Sequence, residues 1–331
     1  SQKLIEDVES GEDINTSLDK FERSTEVTEV PQDNNSLGDI MADIFDELES
    51  GKSIDKVKTG IPIIDKCTNG IAPSELVTIG AKSGVGKSAL AVRIAINMYK
   101  ANKKILIVSR EMSKKQVAER ILLAHSGISK DQYENRDLND AQWVRIVETM
   151  EAFSGEGIII DDKISTIQEI KQAIRRSKPD VLIVDYVQLL TPSNPKDSRE
   201  RQVAEISREL KKMTSDFDMI VIQLTQLAEK GIGNYRPSGE GYTRESRAIY
   251  HDANSVVYVH HVTEEKEIEI AHNSTPLKER QNVEETKKML KRFEENGTRL
   301  IEIIVDKNRS GSVGSGYYWF SGAEMAYYSI C

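Results

Sequence analysis

Cysteine is nearly absent: the 331 residues hold two, Cys67 and Cys331. Two thiols so far apart frame neither a disulfide scaffold nor a metal knuckle, and their scarcity fits a reducing compartment. No apolar run approaches the roughly 18–20 residues of a membrane span. The opening SQKLIEDVES is polar and acidic, unlike a secretory leader. Excess basic charge is also lacking, since the formal net charge is −9. That deficit is local. Residues 1–50 carry 15 acidic and 3 basic side chains, leaving 39 and 42 to the remainder. The body is close to neutral, and local basic loops suffice to hold a nucleic-acid strand. No repeat of solenoid length recurs. With 38% hydrophobic and 30% charged residues, the composition is that of a soluble globular protein with room for one large domain and appendages. The leading Ser fits a fragment or a trimmed chain.

What is present is organised around Glu75–Ser88, ELVTIGAKSGVGKS. An apolar, β-branched strand runs into a glycine-bearing loop, and SALAVRIAINMYK beyond it has helical apolar spacing. Such a loop turns successive backbone N–H groups toward one anion, and the helix dipole adds to the field. The expected nucleotide contacts are Ser83, Gly84, Val85, Gly86, Lys87, Ser88 and Ala89. Lys87 is expected to reach the β- and γ-phosphates of ATP, and Ser88 to serve Mg2+. The general P-loop pattern asks for glycine at position 81, where this chain has alanine.

Along the chain, residues 1–35 are acidic and poor in aromatics, an N-terminal segment expected to be flexible or partner-dependent. Residues 36–59 read as a linker helix and tether. Ser36 can cap, and Leu37, Ile40, Met41, Ile44, Phe45 and Leu48 make an amphipathic face that either packs on its own domain's core or docks on a neighbouring subunit, the charged tether after it favouring the second. From residue 60 to 331, strands at 103–109, 157–161, 179–190 and 219–226 alternate with helices, one of them at 139–153 carrying Trp143, Val144, Val147 and Met150. This alternation predicts an α/β fold: a central, mostly parallel sheet flanked by helices. Further on come a loosely patterned loop, a strand at 254–261, a helix near 277–295, a strand at 299–311 and a closing hairpin about Gly322.

Ligands in such sheets bind beyond the strand carboxyl ends. Glu111, Asp185 and Gln226 all fall at such ends, as does the P-loop. Asp185 after VLIV is a Walker-B pattern and a second Mg2+ candidate, acting through a water. Glu111 reads either as a surface carboxylate or helix cap or as the group that orients the attacking water, and Gln226 either as an ordinary amide ending a strand or as a sensor of the γ-phosphate. Lys307 and Arg309 read either as a solvated edge or as cations reaching the ATP of a neighbouring subunit. Arg244, Glu245 and Arg247, with Tyr235, Arg236 and Tyr242 nearby, read either as a polar surface loop or as contacts to a single-strand backbone. His251, His260 and His261 lack metal-site spacing and read as surface or core histidines.

From Gly60 onward the motif set resembles the C-terminal, RecA-like motor domain of the DnaB-type replicative helicases. The likeness rests on GIPIIDKCTNGIAPSELVTIGAKSGVGKS, the Glu111–Ser113 EMS with KKQVAER, DVLIVDYVQLL, AEISRELKKM, QLTQL, RESRAI and IIVDKNRSG. The family's P-loop commonly starts with alanine, as at Ala81. The resemblance implies a RecA-like P-loop NTPase preceded by a linker helix, with Glu111 as catalytic carboxylate, Asp185 as Walker-B acid and Gln226 as coupling glutamine. It also implies Arg120 near the nucleotide, Lys307 and Arg309 acting in trans, and Arg244, Glu245 and Arg247 on the DNA-binding loop. An ATP- and Mg2+-dependent homo-hexamer follows, moving on single-stranded DNA with a primase and a loader as partners, in the cytoplasm (a bacterial host's if phage-encoded). Departures are Arg110 for an apolar residue, Arg247 for a glycine, Tyr250-His251 and Asn254 for acidic and amide residues, and a longer 263–297 segment. The globular N-terminal domain is expected to be absent, truncated or reduced to the acidic head, as in a divergent phage or mobile-element helicase. The rival expectations are a recombinase-type filament ATPase and an ATP-switched DNA-binding or loader adaptor, the latter disfavoured by Glu111 and Gln226 both being present.

Overall fold

The computed structural model describes residues 36–50, 55–227, 236–239, 247–265, 267–269, 283–295, 298–324 and 326–329. The chain divides into two units, Ser1–Ile54 and Asp55–Cys331. In the first, α1 (Leu37–Glu49) is capped by Ser36, whose hydroxyl accepts from Asp39 N at 3.2 Å. Its six apolar residues are 44% to 74% exposed.

The second unit begins five residues before Gly60. Val57 is buried and pairs with Ile71, and Lys103 holds Asp55, so 55–59 belongs with the body rather than with a tether. Its elements are α2 (Pro62–Thr68), β1 (Leu76–Ala81), α3 (Lys87–Lys100), β2 (Ile105–Ser109), α4 (Lys114–Ser126), α5 (Lys130–Asn135), α6 (Asp140–Ala152), β3 (Ile158–Asp161), α7 (Ile167–Ser177), β4 (Val181–Asp185), α8 (Arg199–Asp216), β5 (Ile220–Gln226), α9 (Arg247–Asp252), β6 (Ser255–His261), α10 (Val283–Glu295), β7 (Arg299–Asn308), β8 (Gly314–Ser321) and β9 (Ala326–Ser329).

One sheet runs β3-β2-β4-β5-β1-β6-β7-β8-β9. The first six strands are parallel, and each of the last three is antiparallel to its predecessor. Central β2 and β4 read as apolar runs up to their last residue because both faces are covered. Val77, Ile79, Ile105 and Ile107 pack with α3 and α4 on one face. Leu76, Leu106 and Val108 pack with α7 and α8 on the other.

Helix starts are set by side chains. Ser113 with Gln116, Ser129 with Gln132, Asn139 with Gln142 and Thr166 with Glu169 form capping boxes on α4 to α7, each contributing about 1 kcal/mol.

One reading changes. The expected 179–190 strand stops at Asp185 and gives way to a 3-10 turn, Val187–Leu189, which buries Val187 and Leu190 below the sheet edge. On α6 the buried residues are Gln142, Ile146 and Thr149, while Trp143, Val144, Val147 and Met150 face outward, 51% to 64% exposed. Of the helix expected near 277–295, Val283–Glu295 is described.

Candidate nucleotide site

β1 is buried throughout and delivers the chain into the loop at residues 82–86. Gly86 caps α3 with φ +112°, and no acid occupies the first helical turn, so the helix field is left for an anion. Gly84 has φ +72° with open space around a would-be Cβ, so backbone conformation alone asks for glycine there. A Cβ on Gly86 would run into the Tyr327 hydroxyl. That hydroxyl donates to Gly86 O at 2.8 Å, and Arg299 Nη1 donates to Gly84 O at 2.6 Å. Two loop carbonyls are thereby held by side chains from β9 and β7.

A cavity of about 370 Å³ opens above the loop. Residues 81–84 and 86–89 line it, joined by Glu111, Arg120, Gln226, Arg299, Phe320, Gly322 and Ala323. Of the expected nucleotide contacts in the loop and first helical turn, Val85 alone does not line it; its side chain, like that of Ala89, belongs to the core. A smaller cavity of about 20 Å³, room for one water, is shared by Ser88, Arg120 and Asp185.

Lys87 Nζ lies 3.5 Å from Asp185 Oδ1 and 4.1 Å above the Tyr186 ring, with both charged side chains buried. Burial holds the Lys87 ammonium below its ordinary value, opposed by the charges of Asp185 and Glu111. Asp185 Oδ1 has no hydrogen bond of its own in this arrangement. Tyr186 is pushed upward by burial first and then by the negative charges of Glu111 and Asp185.

Glu111 stands exposed in the turn between β2 and α4. That turn is fixed at both ends: Arg110 N donates to Asp185 O at 2.7 Å, and Ser109 Oγ donates to Met112 O at 2.8 Å. Gln226 ends β5 directly beside Ala81 in register, and its carbonyl accepts from Gln188 Nε2 at 3.2 Å.

Other expected residues lie elsewhere. Lys307 and Arg309 are at the far edge of the sheet, because β7 runs antiparallel and Asn308 pairs with Ser255 at the start of β6. Lys307 Nζ donates to Tyr250 O at 2.7 Å and His251 O at 3.0 Å, and Arg309 Nη2 donates to His251 O at 2.6 Å. Burial, and then the charge of Arg309, lower the Lys307 value. Arg247 is exposed at the start of α9. Arg244, Glu245, Tyr235 and Tyr242 lie outside the described residues. Arg236, grouped with them on sequence, is taken up in a bidentate pair with Glu302, at 2.8 Å for both bonds. His260 is buried and 3.0 Å from Glu267.

Sequence reasoning missed Arg299, Phe320 and Tyr327. The signal was the strand reversal after β6, which returns the start of β7 and the β8–β9 turn to the P-loop edge.

The family model for the DnaB-like helicase C terminal domain matches residues 56–329. The chain belongs to that family. It is 30% identical over 322 residues to the replicative DNA helicase DnaB of Geobacillus stearothermophilus, covering 92% of this chain and 64% of that one. It is 29% identical over 308 residues to the replicative DNA helicase DnaC of Bacillus subtilis (strain 168), covering 87% and 62%. The chain thus spans less than two thirds of the length of these relatives. Among solved structures it is similar to one described as a DnaB-like replicative helicase and its interactions with primase, with TM-score 0.71 and 25% identity, covering 100% of this chain and 75% of that one. Fold and family agree with the RecA-like architecture expected from sequence. No helix among the described residues is long and apolar enough to cross a membrane.

Proposed function

We propose that this chain is the motor of an ATP-dependent DNA helicase that assembles as a ring hexamer, moves on single-stranded DNA and unwinds duplex by hydrolysis at subunit interfaces. The carrying observation is a divided site. Lys87, Ser88, Glu111, Asp185 and Gln226 are gathered at one edge of the sheet, while Lys307 and Arg309 sit at the other. A second copy, set edge to edge, brings the two halves together.

In this reading Lys87 leaves Asp185 for the β- and γ-phosphates, and Glu111 orients and deprotonates the attacking water. Gln226 contacts the γ-phosphate beside the loop. Lys307 and Arg309 of the neighbour neutralise charge in the transition state. Ser88 and Asp185 fit a hydrated Mg2+: a hydroxyl and one carboxylate with a buried oxygen free of hydrogen bonds, beside room for one water. Mg2+ there would draw charge from the phosphates. Arg244, Glu245 and Arg247 serve the strand backbone.

The outward apolar faces of α1 and α6 support assembly, since each asks for cover from another copy. Primase and a loader are the expected partners, the first supported by likeness to the solved helicase described with its primase interactions. The working place is the cytoplasm.

The test is complementation in trans. Lys87→Ala and Arg309→Ala chains, each lacking DNA-stimulated ATPase alone, recover part of it when mixed, because the mixed interface holds one intact P-loop and one intact cation pair. A silent mixture, or full activity of Arg309→Ala alone, overturns the divided site. Normal hydrolysis by Glu111→Ala overturns the assignment of that carboxylate.

A further inference from the structure

Glu111 has an exposed side chain and sits in a turn, outside any helix or strand. Its carboxylate is only as well placed as the backbone that carries it. That backbone is tied on both sides to one short stretch, Asp162-Lys163, in the loop between β3 and α7. On the N-terminal side, Arg110 Nη1 donates to Asp162 O at 3.0 Å and to Lys163 O at 3.5 Å. On the C-terminal side, Asp162 Oδ2 accepts from Lys114 N, the first amide of α4, at 2.8 Å. That bond is the main cause holding the Asp162 carboxyl below its ordinary value. Arg110 Nε is buried, so the guanidinium is seated in the protein rather than extended into water. The charged residue at 110, one of the departures from the family pattern, thus has a definite partner.

The loop is itself a firm anchor. Asp161 Oδ1 accepts from Lys163 N at 2.8 Å and Ile164 N at 3.0 Å, closing a tight turn. Ile164 is buried in the core with residues of α7 and α8, and Ser165 O accepts from Thr191 N at 2.8 Å. The Thr166–Glu169 capping box follows at once. Asp161 pairs with Val108, so the anchor and the Glu111 turn extend from adjacent strands of one sheet.

Resting on the reading of Glu111 as the catalytic carboxylate, we propose that Arg110 and Asp162 are positioning residues that brace the Glu111 turn against the β3–α7 loop and so hold the carboxylate where the attacking water sits. Neither lines the nucleotide cavity. Both act through Glu111, and losing either lets the turn shift. A displacement of about 1 Å at a reacting group costs on the order of a hundredfold in rate. Arg110 N still holds Asp185 O, and Ser109 Oγ still holds Met112 O, when one brace is removed. The expected fall is therefore smaller, about tenfold.

The experiment uses the full chain with Arg110→Met, which keeps the buried stem and removes the donors, Arg110→Lys, which restores one cation, Asp162→Ala, and Arg110→Met combined with Glu111→Ala. ATPase kcat and KM are measured with saturating oligo(dT), together with affinity for a non-hydrolysable ATP analogue and thermal melting. The Glu111→Ala chains are followed by single-turnover hydrolysis of radiolabelled ATP. The expected result is kcat lowered about tenfold in Arg110→Met and Asp162→Ala, with KM and analogue affinity within about twofold of the parent and Arg110→Lys in between. On the Glu111→Ala background, Arg110→Met should lower the residual rate no further, because a residue that acts through a carboxylate has nothing to position once it is gone. A residue that only supports the fold would lower the rate by the same factor on both backgrounds. That outcome overturns the proposal, as does a parent-like kcat in Arg110→Met. If Glu111→Ala itself hydrolyses at the parent's rate, the catalytic reading of Glu111 fails and the proposal falls with it. A slow Glu111→Ala beside a parent-like Arg110→Met overturns the positioning alone.

Discussion

Replacing Arg236 with Met tests the electrostatics of the described body most directly. The guanidinium and the Glu302 carboxylate meet through two 2.8 Å bonds, with side-chain exposures of 13% and 1%. Burial works against the Arg236 charge, but the hydrogen bond and charge of Glu302 outweigh it and hold the guanidinium above its ordinary value. Glu302 is flanked in register by His260 on β6 and Tyr317 on β8. The Tyr317 hydroxyl is buried without a hydrogen bond, and burial, followed by the charge of Glu302, pushes it upward. With Met at 236, the carboxylate stays buried without its cation, a cost of about 3–5 kcal/mol. At a urea m-value of about 3 kcal/mol/M, that moves the unfolding midpoint down by about 1–2 M. A double Arg236→Met, Glu302→Met variant removes the stranded charge and should recover most of the loss. The assay is urea unfolding followed by circular dichroism, alongside oligo(dT) binding. A loss below about 1 kcal/mol, the range of exposed ion pairs, would refute the burial. If affinity for oligo(dT) fell instead while stability held, Arg236 would be the loop contact that composition alone suggests.

Two other outcomes are expected. Tyr327→Phe deletes one hydrogen bond to Gly86 O, lowering stability by about 1 kcal/mol; steady-state kinetics should show a raised KM for ATP with kcat largely kept, and an unchanged KM would argue against a role in holding the loop. Glu267 is pressed upward by burial, yet the His260 side chain and the Thr263 and Glu264 amides outweigh this and hold it below the usual carboxylate range. A depressed carboxylate contributes stability that is present above its unfolded value, about 4.5, and lost as pH falls through its folded one. Acid titration followed by hydrogen exchange in α10 should therefore show a steeper loss in the parent than in Glu267→Gln, and parallel curves would contradict it.

Features written locally were legible from the sequence. An apolar run, two glycines and a Lys-Ser pair announce the P-loop, because strand, turn and helix dipole are all properties of neighbouring residues. The acids at the ends of β2 and β4 followed from the rule about strand carboxyl ends. Features made by distant pairing were not legible. Arg236 lies in a Gly-, Pro- and Arg-rich stretch that reads as surface, and its partner is 66 residues away. Arg299 and Tyr327 reach the loop through an antiparallel reversal that apolar runs do not encode. Which face of α6 is buried was not legible either: the helix turns polar Gln142 and Thr149 inward with Ile146 and leaves Trp143, Val144, Val147 and Met150 outside.

The bonds from Arg299 to Gly84 and from Tyr327 to Gly86 span 215 and 241 positions of the chain. In order of synthesis, the nucleotide loop emerges early and waits for strands made much later. Until residues 299–327 have left the ribosome and folded back, its glycines lack the side chains that hold their carbonyls. A nascent chain thus carries the complete P-loop motif long before it carries the side chains that hold the loop. Clipping within β9 would release the Gly86 carbonyl alone in a finished chain, with every motif residue still in place and Arg299 still on Gly84.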